Sequence, residues 1–128
     1  SMDDRPPELL RAALIRAQMC EKLASGMSGG HREMAFTVGL FSLLDTLMCA
    51  PMEFLLTHLR LVPEISDALT SRGGPFGTLL KQILAWEAGE LTSEHVPPQR
   101  IQRMAAIYLE ATQWADQVYA NASGKPTN

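Results

Sequence analysis

The side chains of this 128-residue chain that could do chemistry are its three histidines, its two cysteines, one serine inside a helical stretch and two carboxylates in apolar surroundings. His31, His58 and His95 could ligate a metal. None stands at i, i+4 from another histidine or within a CxxC or HExxH frame, the spacings that aim two ligands at one ion. Each falls at a loop or helix edge, which points to surface or capping roles. Cys20 and Cys49 have no adjacent histidine or helix N-terminus to favour a thiolate. Both are expected to be buried free thiols, with a disulfide left open. Ser42 sits mid-helix, where a hydroxyl usually bonds the carbonyl one turn back. The glycine-rich stretches Gly26–Gly30 and Ser71–Pro75 lack the GK[ST] ending of a phosphate-binding loop and read as helix connectors.

Glu21 and Asp45 hold more information. An unpaired carboxylate among apolar helix faces costs several kcal/mol. Both are therefore expected to reach solvent or to be paired, with each other or with Arg11, Arg16, Arg32 or Arg72, and Asp45 could cap the turn into Pro51. Arg16, Glu21, Ser42 and Asp45 form the candidate polar cluster, structural in role. No catalytic, metal-binding or cofactor-binding residue is assigned.

Helices must position these groups. After Pro6-Pro7, residues Leu10, Ala13, Leu14, Ala17, Cys20 and Ala24 recur at i, i+3, i+4 and predict an amphipathic helix. Ala35–Met48 is apolar nearly all round, which predicts a central helix buried on every side. Short helices are expected over Pro51–Leu59 and Pro63–Ser71. A further helix starts at Pro75 and stops at Gly89. A last one runs from Pro97-Pro98 to about Ala120, roughly 33 Å at 1.5 Å per residue. No stretch alternates with period 2. The expected fold is all-α, an irregular bundle of about six helices. Phe76, Trp86, Tyr108 and Trp114 are either packed aromatics or a partner-binding patch. The last helix, with apolar residues on more than one face, is the candidate for self-association.

The bulk values suit one globular domain: 46% hydrophobic and 20% charged residues, with a net charge of −3 and a pI near 5.5. The scattered Lys and Arg residues argue against a nucleic-acid face. The longest apolar run is broken by Asp45 and falls short of the roughly 18 residues a membrane span needs. A soluble, cytoplasmic protein is expected. Residues 1–7 are expected to be disordered, with Ser1-Met2 a tag scar. Residues 8–121 are expected to form a single helical domain, a fragment of a larger protein, and residues 122–128 a frayed tail.

The residues also carry a resemblance. Arg16-Ala17 with Cys20-Glu21, then Ala35-Phe36, Gly39-Leu40, Ser42 and Leu44-Asp45, then Pro51-Met52-Glu53, resemble the C-terminal part of bacterial signalling proteins that join an EAL domain to an HDOD domain. The similarity runs from about Glu8 to Ala120. Where the family has Leu-Pro-Leu, this chain has Leu59-Arg60-Leu61. HDOD domains are similar to the metal-dependent HD phosphohydrolases. In those enzymes His-Asp would follow the Gly-Leu-Leu of the central helix, and another histidine would stand near Ala12. Here Ser42-Leu43 follows Gly39-Leu40-Phe41, and neither can bind a divalent ion. The resemblance thus implies an HD-like helical fold without the metal cage that activates water. The implied function is a non-catalytic regulatory or protein-interaction module related to cyclic di-GMP signalling, with no counterpart here of the EAL half. Its expected partners are other proteins or the EAL domain of a parent chain, with a homodimer through the last helix also open, and neither nucleic acid nor membrane. Two alternatives stand beside it. One is a divergent phosphohydrolase with a site built from Glu21, Asp45 and His31. The other is a stand-alone helical dimerisation module.

Overall fold

In the computed structural model, residues 8–122 and Gly124 are described. All regular structure among them is helical: α1 (Glu8–Leu23), α2 (Gly29–Phe41), α3 (Leu44–Met48), α4 (Met52–Leu56), α5 (Pro63–Ser71), α6 (Gly74–Glu87) and α7 (Pro98–Ala122). Five of these have nine or more residues, and α3 and α4 have five each. The expected disordered N-terminus, residues 1–7, and most of the expected frayed tail lie outside the described residues.

The bundle is organised around α1 rather than around Ala35–Met48. α1 packs against α2, α7 and α6. That is why its buried arc is wider than the expected stripe: Ile15 and Met19 are buried alongside Ala13, Ala17 and Cys20, while Leu10 is exposed. The core joins these residues to Val38, Ala68, Leu69, Phe76, Leu80, Ile83, Met104, Ala111 and Ala115 from the surrounding helices.

The expected central helix is two helices. α2 begins six residues before Ala35, because Ser28 caps it: its Oγ accepts from the His31 backbone N–H at 3.4 Å. Two of the supposed linker glycines, Gly29 and Gly30, are therefore helical. α2 then stops at Ser42, whose backbone N–H and Oγ both donate to the Gly39 carbonyl, the latter at 2.7 Å. Drawing the chain back to the carbonyl three residues earlier tightens the last turn, and Leu43 leaves helical geometry at φ −110°, ψ 10°. α3 restarts from there and ends on Cys49 in the left-handed region, φ 53°. Burial on every side is overturned with the helix: Leu47 and Met48 are exposed.

The other punctuation follows proline and glycine chemistry. Pro51 is the residue before α4, which loosens after Leu56 into turns bonded three residues back, as far as Leu59. α5 spans the expected Pro63–Ser71 and ends on Arg72, φ 59°. Past the end of α6 the chain turns away at Gly89, φ 72°, and the Glu90 N–H reaches back to the Ala85 carbonyl at 2.9 Å. At two close backbone approaches, the α1–α2 crossing and the α5–α6 turn, only glycine fits. A Cβ on Gly39 would stand 2.7 Å from the Ala17 Cα and run into the Arg16 carbonyl, and one on Gly77 would run into the Arg72 carbonyl.

Candidate functional site

Arg16 is the hub of the polar groups. Its position on α1 places its guanidinium between the ends of α2 and α6. Nε and Nη2 donate to the two carboxylate oxygens of Glu87 at 2.9 and 2.7 Å, and Nη1 donates to Ser42 Oγ at 3.1 Å. Ser42 is 5% exposed and its hydroxyl donates a hydrogen bond to the Gly39 carbonyl. Three helices are thus tied through one planar, permanently charged group. A two-pronged Arg–carboxylate bond is among the stronger ion pairs because both hydrogen bonds are charge-assisted. The pair is only partly shielded, at 13% exposure for the Arg16 side chain and 33% for Glu87.

Of the four residues of the candidate cluster, the structure brings together Arg16 and Ser42. Glu21 pairs with none of the described residues. Asp45 stands apart, its Oδ1 accepting from the Thr46 N–H at 2.9 Å. The turn into Pro51 is closed by the Asp45 backbone carbonyl, which accepts from Cys49 and Ala50. The other arginines named as partners are also engaged elsewhere. Arg11 binds Asp116 at 2.9 Å, and Arg32 and Arg72 cap the Met27 and Leu69 carbonyls. The Arg11 guanidinium donates to the Asp116 carboxyl and holds it below its ordinary range.

Glu87 is the member that the sequence reading missed. One signal was available: a carboxylate in the last turn of a helix faces the negative end of the dipole and needs a cation close by.

The remaining reactive groups are held by their own turns. His31 Nδ1 lies 2.6 Å from Ser28 Oγ, His58 Nδ1 3.2 Å from the Phe54 carbonyl, and His95 Nδ1 3.3 Å from Thr92 Oγ1. No three His, Cys, Asp or Glu side chains converge as a metal would require among the described residues. Cys20 is fully buried one turn from Arg16, and burial pushes its thiol up to about 12. Cys49, expected to be buried, is exposed at the left-handed end of α3. Both thiols are free.

Phe76 is buried and Trp114 is half-buried, edge-on to Phe36 with ring centres 5.9 Å apart. Trp86 stacks obliquely on Tyr108 at 5.7 Å. The exposed apolar surface lies elsewhere: Leu44, Met48, Phe54, Leu55, His58 and Leu59 line a hollow between α3 and α4, with Met48 59% and Phe54 57% exposed. No helix among the described residues is long and apolar enough to cross a membrane.

Over 77 residues, 59% of its length, the chain is 43% identical to the Vibrio cholerae protein named cyclic di-GMP phosphodiesterase CdgJ, of which it covers 18%. Over 109 residues, 84% of its length, it is 28% identical to YuxH of Bacillus subtilis, of which it covers 27% and whose name states no activity. The chain therefore spans roughly a fifth to a quarter of the length of these curated relatives. No family model and no solved structure matches it. Through the first of these similarities, the chain is a partial relative of a protein of cyclic di-GMP signalling.

Proposed function

We propose that this chain is a regulatory, protein-interaction module of the HDOD type, with an HD-like helical fold and no catalytic role of its own, in a signalling protein related to cyclic di-GMP. The observation that carries this reading is Ser42. It stands where the resemblance would place the metal-binding His-Asp pair. Its hydroxyl is buried and committed twice, to the Gly39 carbonyl and to an arginine that Glu87 holds in place. The groups at that corner are hydrogen-bonded to one another, and neither Glu21 nor Asp45 bonds to them among the described residues. The partial identity to a protein named as a cyclic di-GMP phosphodiesterase supports the signalling context. The apolar hollow between α3 and α4 supports protein contact, because exposed apolar patches on a soluble surface mark interaction sites. Self-association through α7 has less support: Tyr108 and Leu109 are its exposed large apolar side chains, against five on the stretch from Leu47 to Val62.

The test is equilibrium dialysis of the purified chain against Mn2+, Fe2+ and Mg2+, with a cyclic di-GMP hydrolysis assay in parallel. The expected results are no stoichiometric metal and no turnover. A bound ion together with hydrolysis that is lost in Asp45→Ala would replace this reading with the phosphohydrolase.

A further inference from the structure

A pocket of about 210 Å³ lies where the end of α1, the middle of α6 and the first two turns of α7 meet. Leu23, Leu79 and Met104 give it an apolar wall, and Gln82, Arg100 and Arg103 give it a polar one. No carboxylate lines it, although the chain as a whole carries a net charge of −3. The contrast with its neighbour is direct. Arg103 also borders a more open hollow, lined by Glu110 as well, and there Lys22 has that carboxylate as its counter-ion at 3.8 Å. Arg100 and Arg103 have no carboxylate partner among the described residues.

The place of Arg100 on the helix makes this unusual. Arg100 is the third residue of α7, and no acidic residue occupies that first turn. Cations near a helix N-terminus face the positive end of the dipole and are disfavoured there. The two guanidinium groups, three residues apart on one face, also repel each other. Each of these costs falls if an anion sits between them.

We propose that this pocket is a phosphate site, taking the phosphate group of a small phosphorylated molecule whose carbon skeleton rests on Leu23, Leu79 and Met104. Two arginines match the charge of about −1.5 to −2 on a phosphate monoester better than the single charge of a carboxylate. Guanidinium forks suit its oxygens geometrically, and the Gln82 amide can donate to a further one. The volume is below the usual range for drug-sized ligands, which suits one phosphate with a small substituent. This site is separate from the α3–α4 hollow and does not depend on the signalling reading.

The experiment titrates the 15N-labelled chain with inorganic phosphate and, separately, with phenyl phosphate, following amide and arginine Nε resonances. Saturable shifts centred on Gln82, Arg100 and Arg103 are expected, with phenyl phosphate binding more tightly than inorganic phosphate. Arg100→Gln and Arg103→Gln should each weaken binding about tenfold, the loss of one charge-assisted hydrogen bond. Arg60→Gln, at an exposed arginine outside the pocket, should change nothing. Shifts spread over every basic residue, or equal weakening by Arg60→Gln, would overturn the site. Phenyl phosphate binding no more tightly than inorganic phosphate would overturn the assignment to a phosphate ester. The variants lie on the surface, and their spectra report folding in the same measurement.

Discussion

Arg16 and Glu87 stand 71 positions apart in the chain and meet in a two-pronged ion pair, Nε to Oε2 at 2.9 Å and Nη2 to Oε1 at 2.7 Å. The pair fastens the end of α6 to the middle of α1. The third nitrogen of the same guanidinium reaches Ser42, so the end of α2 is held by the same group.

The planar fork is what that arrangement needs. A lysine at position 16 could meet one of these partners but not present three nitrogens in one plane. Arg16→Lys should lower stability by about 1 kcal/mol, and Glu87→Gln by no more than that, since partly exposed pairs contribute little. Thermal unfolding would show the first as a fall in Tm of roughly 4 °C. A melting curve for Arg16→Lys that overlies the parent's would mean that the bond network is not structural.

Gly39 and Gly30 provide a paired test of packing. Both are in α2, but a Cβ at position 39 meets the α1 backbone at Arg16 and Ala17, whereas at position 30 it meets nothing within 4 Å. Backbone cannot move aside as a side-chain tip can. Gly39→Ala should therefore cost about 1–3 kcal/mol, and Gly30→Ala should be neutral or slightly stabilising through the unfolded chain. Urea unfolding of the two variants measures the difference. Equal midpoints would show that α1 and α2 do not cross in close contact at Gly39.

The two thiols should differ in reactivity and in their effect on alkaline stability. Cys49 is exposed and should react with a thiol reagent at once, while Cys20 should react only on unfolding. The Cys20 pKa is raised from 9.0 to about 12 by burial. Its contribution to stability is whole below pH 9. From there to about 12 the unfolded chain has lost the proton and the native chain has kept it, so stability falls as pH rises, by about 1.4 kcal/mol per pH unit at most. Cys20→Ala should lower stability at neutral pH by leaving a small void, yet flatten the decline above pH 9. An unchanged slope in that variant would remove Cys20 as its cause.

The α3–α4 hollow should tolerate polar substitution where a docking surface would, and the core beneath it should not. Phe54→Ser removes a ring that is 57% exposed and should leave Tm within about 2 °C while reducing binding of a hydrophobic dye. Met52→Ser, at a buried position on the same short helix, should cost 2 kcal/mol or more. Loss of stability in Phe54→Ser as large as in Met52→Ser would place Phe54 in the core and remove the proposed contact surface.

What the sequence by itself determined were the features written in local chemistry. Helical periodicity, with no period-2 stretch, established an all-α chain. Proline at helix starts and glycine at a helix end set the boundaries of α5 and the stop of α6, because these residues restrict the backbone whatever surrounds them. Three decisions belonged to tertiary structure. The apolar stretch Ala35–Met48 breaks at Ser42, since a serine hydroxyl can continue or end a helix and its neighbours decide which. The organising helix is α1, because apolar moment shows that a face is buried but not how many helices cover it. Glu87, rather than Glu21 or Asp45, became the partner of Arg16. Ion pairing depends on which helix ends meet, and that meeting is set by the close crossing of α2 on α1 at Gly39 and the packing of α6 on α1, which bring Ser42 and Glu87 to Arg16 from 26 and 71 residues away along the chain.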